Sequence, residues 1–127
     1  MNIVDSSGWL EYFADGLNAD FFAPAIEAIE ELLVPTISLY EVFRRVLQQK
    51  GESDALQAVA IMQQGQVIDL DAATALNAAK LSVDLQLPMA GSIMLVTALD
   101  RQAKFWTQDA HFKNISTVNY QQKPDQA

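Results

Sequence analysis

Three acids carry the clearest chemical potential, each following a short apolar run: Asp5 after Asn2-Ile-Val, Glu41 after Val34–Ile37, and Asp109 after Lys104–Thr107. Carboxylates crowded together repel one another unless a cation occupies the space between them. Hard oxygen donors in a chain without cysteine suit Mg²⁺ or Mn²⁺, and they exclude a zinc–thiolate site and a thiol nucleophile. Ser6 and Thr107 are placed to add hydroxyl or water-mediated contacts to the same pocket. Each acid also has a purely structural use. Asp5 can cap a helix beginning near Ser7, Asp109 can cap the turn Ala110–Phe112, and Glu41 can complete a capping box with Ser38 or pair with Arg45 one turn later. Three acids after three different strands favour a shared metal site over three coincidences, and one residue can both cap and ligate.

The elements that must position these acids are legible from periodicity. Asn2–Asp5 reads as a strand, followed by a turn and a helix carrying Trp9, Leu10, Tyr12 and Phe13. Pro24 is expected to open a helix over Ala25–Leu33, and Val34–Ile37 to form the second strand. The Ser38–Glu41 box leads into a helix that stops at Gly51, and a further helix runs from about Ser53 to Gln63. Val67–Leu70 is the expected third strand; the helix over Ala72–Leu85 presents Ala72, Leu76, Ala79 and Val83 on one stripe. Ser92–Leu99 is apolar almost all round, as in a helix buried on most sides. Lys104–Thr107 and Thr117–Tyr120 complete five strands, and Gln121–Ala127 forms a polar tail. Short, mostly uncharged strands alternating with helices imply an α/β fold, a small parallel sheet covered on both faces. The working site of such a sheet lies at the carboxyl ends of its strands, near a topological switch point.

A length of 127 residues favours one domain, expected over residues 1–120. Sixteen acidic against eight basic side chains give a net charge of −8, which weighs against a broad basic face for nucleic acid. Acids gathered around divalent ions remain compatible with phosphodiester chemistry, because the metal supplies the missing positive charge. The absence of cysteine fits a reducing cytoplasm, and neither a signal peptide nor a membrane span is expected.

The segments Ile3-Val-Asp5-Ser-Ser, Pro35-Thr-Ile-Ser-Leu-Tyr-Glu41, Leu87-Pro-Met-Ala-Gly91-Ser and Trp106-Thr-Gln-Asp109-Ala-His-Phe112, in this order, resemble a PIN domain, and the chain's size resembles a VapC-type toxin. That resemblance implies a metal-dependent endoribonuclease holding Mg²⁺ or Mn²⁺, a homodimer, an RNA substrate and inhibition by a small antitoxin. Asp5, Glu41 and Asp109 match three of the family's acidic positions as metal ligands and catalytic residues. The fourth departs from the pattern: Gly91 stands where Leu-Pro-x-x-Asp expects an acid. Three explanations compete: a feeble or non-catalytic natural member that acts through antitoxin or RNA binding, an ion held through water by Ser92, or a substitution that spares the host.

Other features are weaker. Asp69-Leu-Asp71 followed by Thr74 misses the spacing of an aspartyl-phosphate phosphatase by one residue, and a receiver module would want paired acids after the first strand, where Ser6 follows Asp5. His111 beside Asp109 reads as a solvated surface residue. Arg44, Arg45 and Lys50 form either a solvated face or a contact with phosphates flanking the site. Trp9, Tyr12, Phe13, Tyr40 and Phe43 are expected to pack into the core.

Overall fold

The computed structural model describes residues 1–124. Residues 125–127, the end of the expected polar tail, lie outside the described residues. Five strands, β1 (Asn2–Val4), β2 (Leu32–Pro35), β3 (Gln66–Ile68), β4 (Lys104–Thr107) and β5 (Val118–Tyr120), form one sheet in the order β3-β2-β1-β4-β5 with every neighbouring pair parallel. Among the described residues six α-helices cover it: α1 (Ser6–Phe13), α2 (Ala19–Glu27), α3 (Thr36–Lys50), α4 (Glu52–Met62), α5 (Ala72–Leu85) and α6 (Met89–Asp100). The expected α/β class is therefore the observed one. A receiver-type sheet, with order 2-1-3-4-5, is excluded by this topology.

Alternation along the strands builds two cores. Val4, Leu32 and Val34 point to one face, where Trp9, Phe22, Val42 and Met62 enclose them, while Ile3, Leu33 and Phe105 point to the other, against Met94, Leu95 and Phe112. Because both faces are covered, the central strands need no polar side, which is why Ile3-Val4 of β1 and Leu32–Pro35 of β2 are apolar throughout. Among the described residues no single helix is long and apolar enough to cross a membrane, and α6, the most apolar, is buried from Gly91 to Ala98.

Several expected boundaries shift. Pro24 lies inside α2 rather than opening a helix, because fully buried Phe22 and buried Ala19 draw the preceding turn into helix while Pro24 faces solvent. The second strand is Leu32–Pro35, two residues earlier than expected, so that Leu32 and Leu33 pair with Asn2 and Ile3. The α3 helix consequently begins at Thr36, with Pro35 at its N-cap, and the Ser38–Glu41 capping box does not form. Gly51, at φ 93°, ends α3 and starts α4 in a backbone conformation that side chains with a Cβ resist.

The α5 stripe is also corrected. Leu76 and Val83 are 73% and 79% exposed, and α5 instead turns buried Ala78 and half-buried Leu81 toward Ile93 and Val96 of α6. A small residue at the contact lets the two helices approach closely, so the larger residues of the expected stripe are left outside.

Candidate active site

From β1 the chain steps outward to β2 and β3 and then crosses back to β4 on the other side, so the carboxyl end of β1 is a switch point of the sheet. Asp5 stands there. Its backbone N–H extends the ladder by donating to the Trp106 carbonyl at 2.9 Å, and its carbonyl accepts from Gly8 and Trp9 to start α1. Although Asp5 occupies the N-cap position, its carboxylate makes no capping bond. Instead Oδ2 accepts from Thr107 Oγ1 at 2.7 Å, across the seam between β1 and β4.

Thr107 is fully buried and serves two acids at once. While its hydroxyl donates to Asp5, the same oxygen accepts from the Asp109 backbone N–H at 2.9 Å. Asp109 then caps the one-turn 3₁₀ helix Ala110–Phe112, its Oδ1 accepting from the His111 N–H at 2.9 Å with the His111 ring Nδ1 2.6 Å away. The structural and chemical uses of Asp109 therefore coexist, and His111 is coupled to it rather than simply solvated. Glu41 does not serve Ser38 or Arg45: its Oε1 accepts from Ser6 Oγ at 2.7 Å, while Ser38 donates to Met94 Sδ.

Asp5, Glu41 and Asp109 line a single cleft with Ser6, Ser7 and Tyr40. Burial pushes the Asp5 carboxyl up to about 6, and the negative charges of Asp109 and Glu41 push the same way against the lowering effect of the Thr107 hydrogen bond. Asp5 thus ionises against the charge of its acidic neighbours, and Arg44, Arg45 and Lys123, which line the same cleft, form no ion pair with the three acids. The donor set fits a hard divalent cation: three carboxylates, two hydroxyls already oriented on them, and the Ser7 Oγ, which is buried and without a hydrogen-bond partner. Among the described residues no three acids form a closed ligand group, so binding would have to draw the carboxylates together.

The fourth expected acid has a physical replacement. A Cβ placed on Gly91 would lie 2.5 Å from Phe112 Cζ and 2.9 Å from Cε2, and Phe112 is fully buried edge-on against Phe105. Phe112 therefore fills the space that any side chain at position 91 needs. No residue from Met89 to Ser92 lines the acid cleft, and Ser92 donates its hydroxyl to the Met89 carbonyl at 2.7 Å. This geometry leaves no support for Ser92 as a substitute ligand. The phosphatase-like Asp71 is an N-cap, accepting from the Thr74 N–H at 2.8 Å at the far edge of the sheet.

Two features escaped the sequence. Asn18 and Gln108, both buried, join side chain to side chain at 2.9 Å, and Gln108 reaches Glu11 at 3.2 Å. Asn18 also donates to the Gln122 carbonyl, and the Gln121 N–H donates to Thr107, which fastens the segment after β5 and brings Lys123 to the cleft. Contacts spanning 90 and 104 residues leave no local pattern to read. Of the aromatic residues expected in the core, Trp9 is fully buried, whereas Tyr40 is 64% exposed at the cleft.

Comparison with known proteins agrees with this architecture. The fold is similar to a toxin–antitoxin complex from Klebsiella pneumoniae, with 19% identity and a TM-score of 0.76 over 93% of this chain and 95% of that one. It is similar to Mycobacterium tuberculosis VapC20, a sarcin–ricin loop cleaving toxin, with 14% identity and a TM-score of 0.77 over 94% and 98%. VapBC2 from Rickettsia felis, bound to a DNA fragment from its promoter, shares 13% identity and a TM-score of 0.71 over 95% and 97%. No curated protein sequence matches the chain significantly. A sequence profile of the PIN domain matches residues 3–118, nearly the whole length, and with its sheet and strand-end acids the chain belongs to the PIN domain family.

Proposed function

We propose that the protein is a Mg²⁺- or Mn²⁺-dependent endoribonuclease, the toxin of a type II toxin–antitoxin pair, acting in the cytoplasm as a homodimer and restrained by a cognate antitoxin. The observation that carries this reading is the gathering of Asp5, Glu41 and Asp109 in one cleft, with Asp5 held at about 6 by burial and by its acidic neighbours. The structural neighbours described as toxins or toxin–antitoxin complexes support the antitoxin partner and the RNA substrate.

Asp5, Glu41 and Asp109 would hold the cation. When bound, it would supply Lewis-acid chemistry, activating water and stabilising the charge that develops on the cleaved phosphodiester. The protein supplies the orientation: Thr107 fixes Asp5, Ser6 fixes Glu41, and the Asp109 backbone is tied to the same Thr107 oxygen. Outer hydroxyls of this kind orient the individual carboxylates, leaving metal binding to draw the three together.

Glu41→Gln tests the reading, because the amide oxygen can still accept from Ser6 while the negative charge is removed. Mn²⁺ affinity by calorimetry and RNA cleavage are both expected to fall, on the order of 100-fold or more for cleavage. Unchanged Mn²⁺ affinity would overturn the assignment.

Gly91, with Phe112 packed against it, favours a second reading: a PIN-fold protein of impaired activity that works through antitoxin or RNA binding. Cleavage of RNA by the chain as written, abolished by EDTA and restored by Mn²⁺, decides for the enzyme.

A further inference from the structure

Of the chain's eight basic side chains, Arg44, Arg45 and Lys123 stand at the acid cleft. All three are exposed, and the only ion pair among the described residues is that of His111 with Asp109, so these cations are not consumed by the acids beside them. Arg44 and Arg45 follow Glu41 by three and four positions on α3, which places them about one turn along the same helix. Lys123 arrives from a different element. Its segment is fastened by the Asn18 side chain to the Gln122 carbonyl at 2.9 Å and by the Gln121 N–H to Thr107 at 3.1 Å. A buried amide pair, Asn18 with Gln108, backs that fastening. Tyr40 lies among them, its ring mostly in solvent.

We infer that Arg44, Arg45, Lys123 and Tyr40 form a single-stranded RNA-binding rim around the acid cleft, the three cations holding backbone phosphates and the tyrosine ring stacking on one base. The inference rests on the ribonuclease reading and names the residues that bring the strand to it. A chain of charge −8 repels a polyanion as a whole, so local cations are needed wherever RNA is to approach three carboxylates. The exposed aromatic ring selects between polyanions. An acidic peptide would use the cations but has no need of a flat π-surface, whereas unpaired bases stack on one.

The test measures binding of a fluorescein-labelled 12-nucleotide single-stranded RNA by anisotropy, in EDTA and separately with Ca²⁺, across a salt series, with cleavage assayed in parallel in Mn²⁺. Removing one phosphate contact lowers the slope of log affinity against log salt by about 0.7, equivalent to roughly 5-fold weaker binding at 0.1 M salt. Lys123→Ala is expected to show that loss and Lys123→Arg to recover it. Tyr40→Ala should weaken binding by about 5-fold or more with the salt slope unchanged, while Tyr40→Phe binds as the parent does. Lys80→Ala, on α5 away from the cleft, controls for net charge.

An equal loss in Lys80→Ala, no loss in Lys123→Ala, or no RNA binding in either buffer would overturn the rim. Equal Tyr40→Ala and parent binding, with the cations still mattering, would reject stacking and favour an acidic peptide as occupant. Binding that follows the expected pattern without any cleavage would retain the rim and remove the ribonuclease reading, so the two fail separately.

Discussion

Thr107 donates its hydroxyl to Asp5 Oδ2 at 2.7 Å, and this one bond joins the carboxyl ends of the two strands that meet at the sheet's switch point. The oxygen also accepts from the Asp109 N–H, so a single buried threonine sets the spacing of two acids. Thr107→Val keeps the volume and removes both bonds. The variant is expected to lose about 1–3 kcal/mol in urea unfolding, to raise the Asp5 pKa further, and to bind Mn²⁺ more weakly near neutral pH. Parent-like stability and parent-like Mn²⁺ binding together would show that the bond is incidental.

The raised Asp5 pKa sets a direction for pH. The folded state binds the Asp5 proton more tightly than the unfolded chain, whose carboxyl titrates near 3.8, so ionisation costs stability as pH rises from about 4 through about 6. Asp5→Asn abolishes that titration. Its melting temperature relative to the parent should therefore climb across that window and level off above it. Mn²⁺ affinity of the parent should move the other way, falling as pH is lowered through about 6. A stability difference that does not vary with pH would mean the carboxyl is not strained by burial.

Gly91→Asp separates ligand gain from packing cost. With Phe112 Cζ 2.5 Å from where the new Cβ must lie, the single substitution is expected to destabilise the fold by about 1–3 kcal/mol. Phe112→Leu in the same chain should recover part of that loss, giving a favourable coupling in a double-mutant cycle by urea unfolding. Strict additivity of the two substitutions would refute steric contact as the cause. Calorimetry with Mn²⁺ on the paired variant then asks whether an acid at 91 adds to the site.

The outward stripe of α5 predicts a near absence of effect. Leu76→Ser and Val83→Ser should each change unfolding free energy by no more than about 0.5 kcal/mol, since both side chains stand in solvent in the single chain. Ala78→Leu, at a buried contact with α6, should cost about 1–3 kcal/mol. Large losses at Leu76 or Val83 would indicate that a second copy covers them, which sedimentation equilibrium of the same variants checks.

Strand-and-helix alternation was readable because it follows from local pattern: Ile3-Val4 is an apolar run that a sheet covered on both faces can bury, whereas Leu32 and Leu33, which also fit the stripe of the preceding helix, were assigned to β2 only by pairing with Asn2 and Ile3. The ordering of Asp5, Glu41 and Asp109 after successive apolar runs was equally local, and it sufficed to nominate them. Tertiary structure decided what depends on partners distant in sequence. Which stripe of α5 turns inward was set by the surface of α6, so Ala78 outranked the larger Leu76. Whether Glu41 capped its own helix or faced the cleft was decided by Ser6, 35 residues away. The resemblance marked Gly91 as a missing acid; only the packing of Phe112, brought in from beyond β4, showed that a side chain at this position must displace that ring. Periodicity reports which face a segment can bury, but contacts between elements choose among the faces and spend each polar group once.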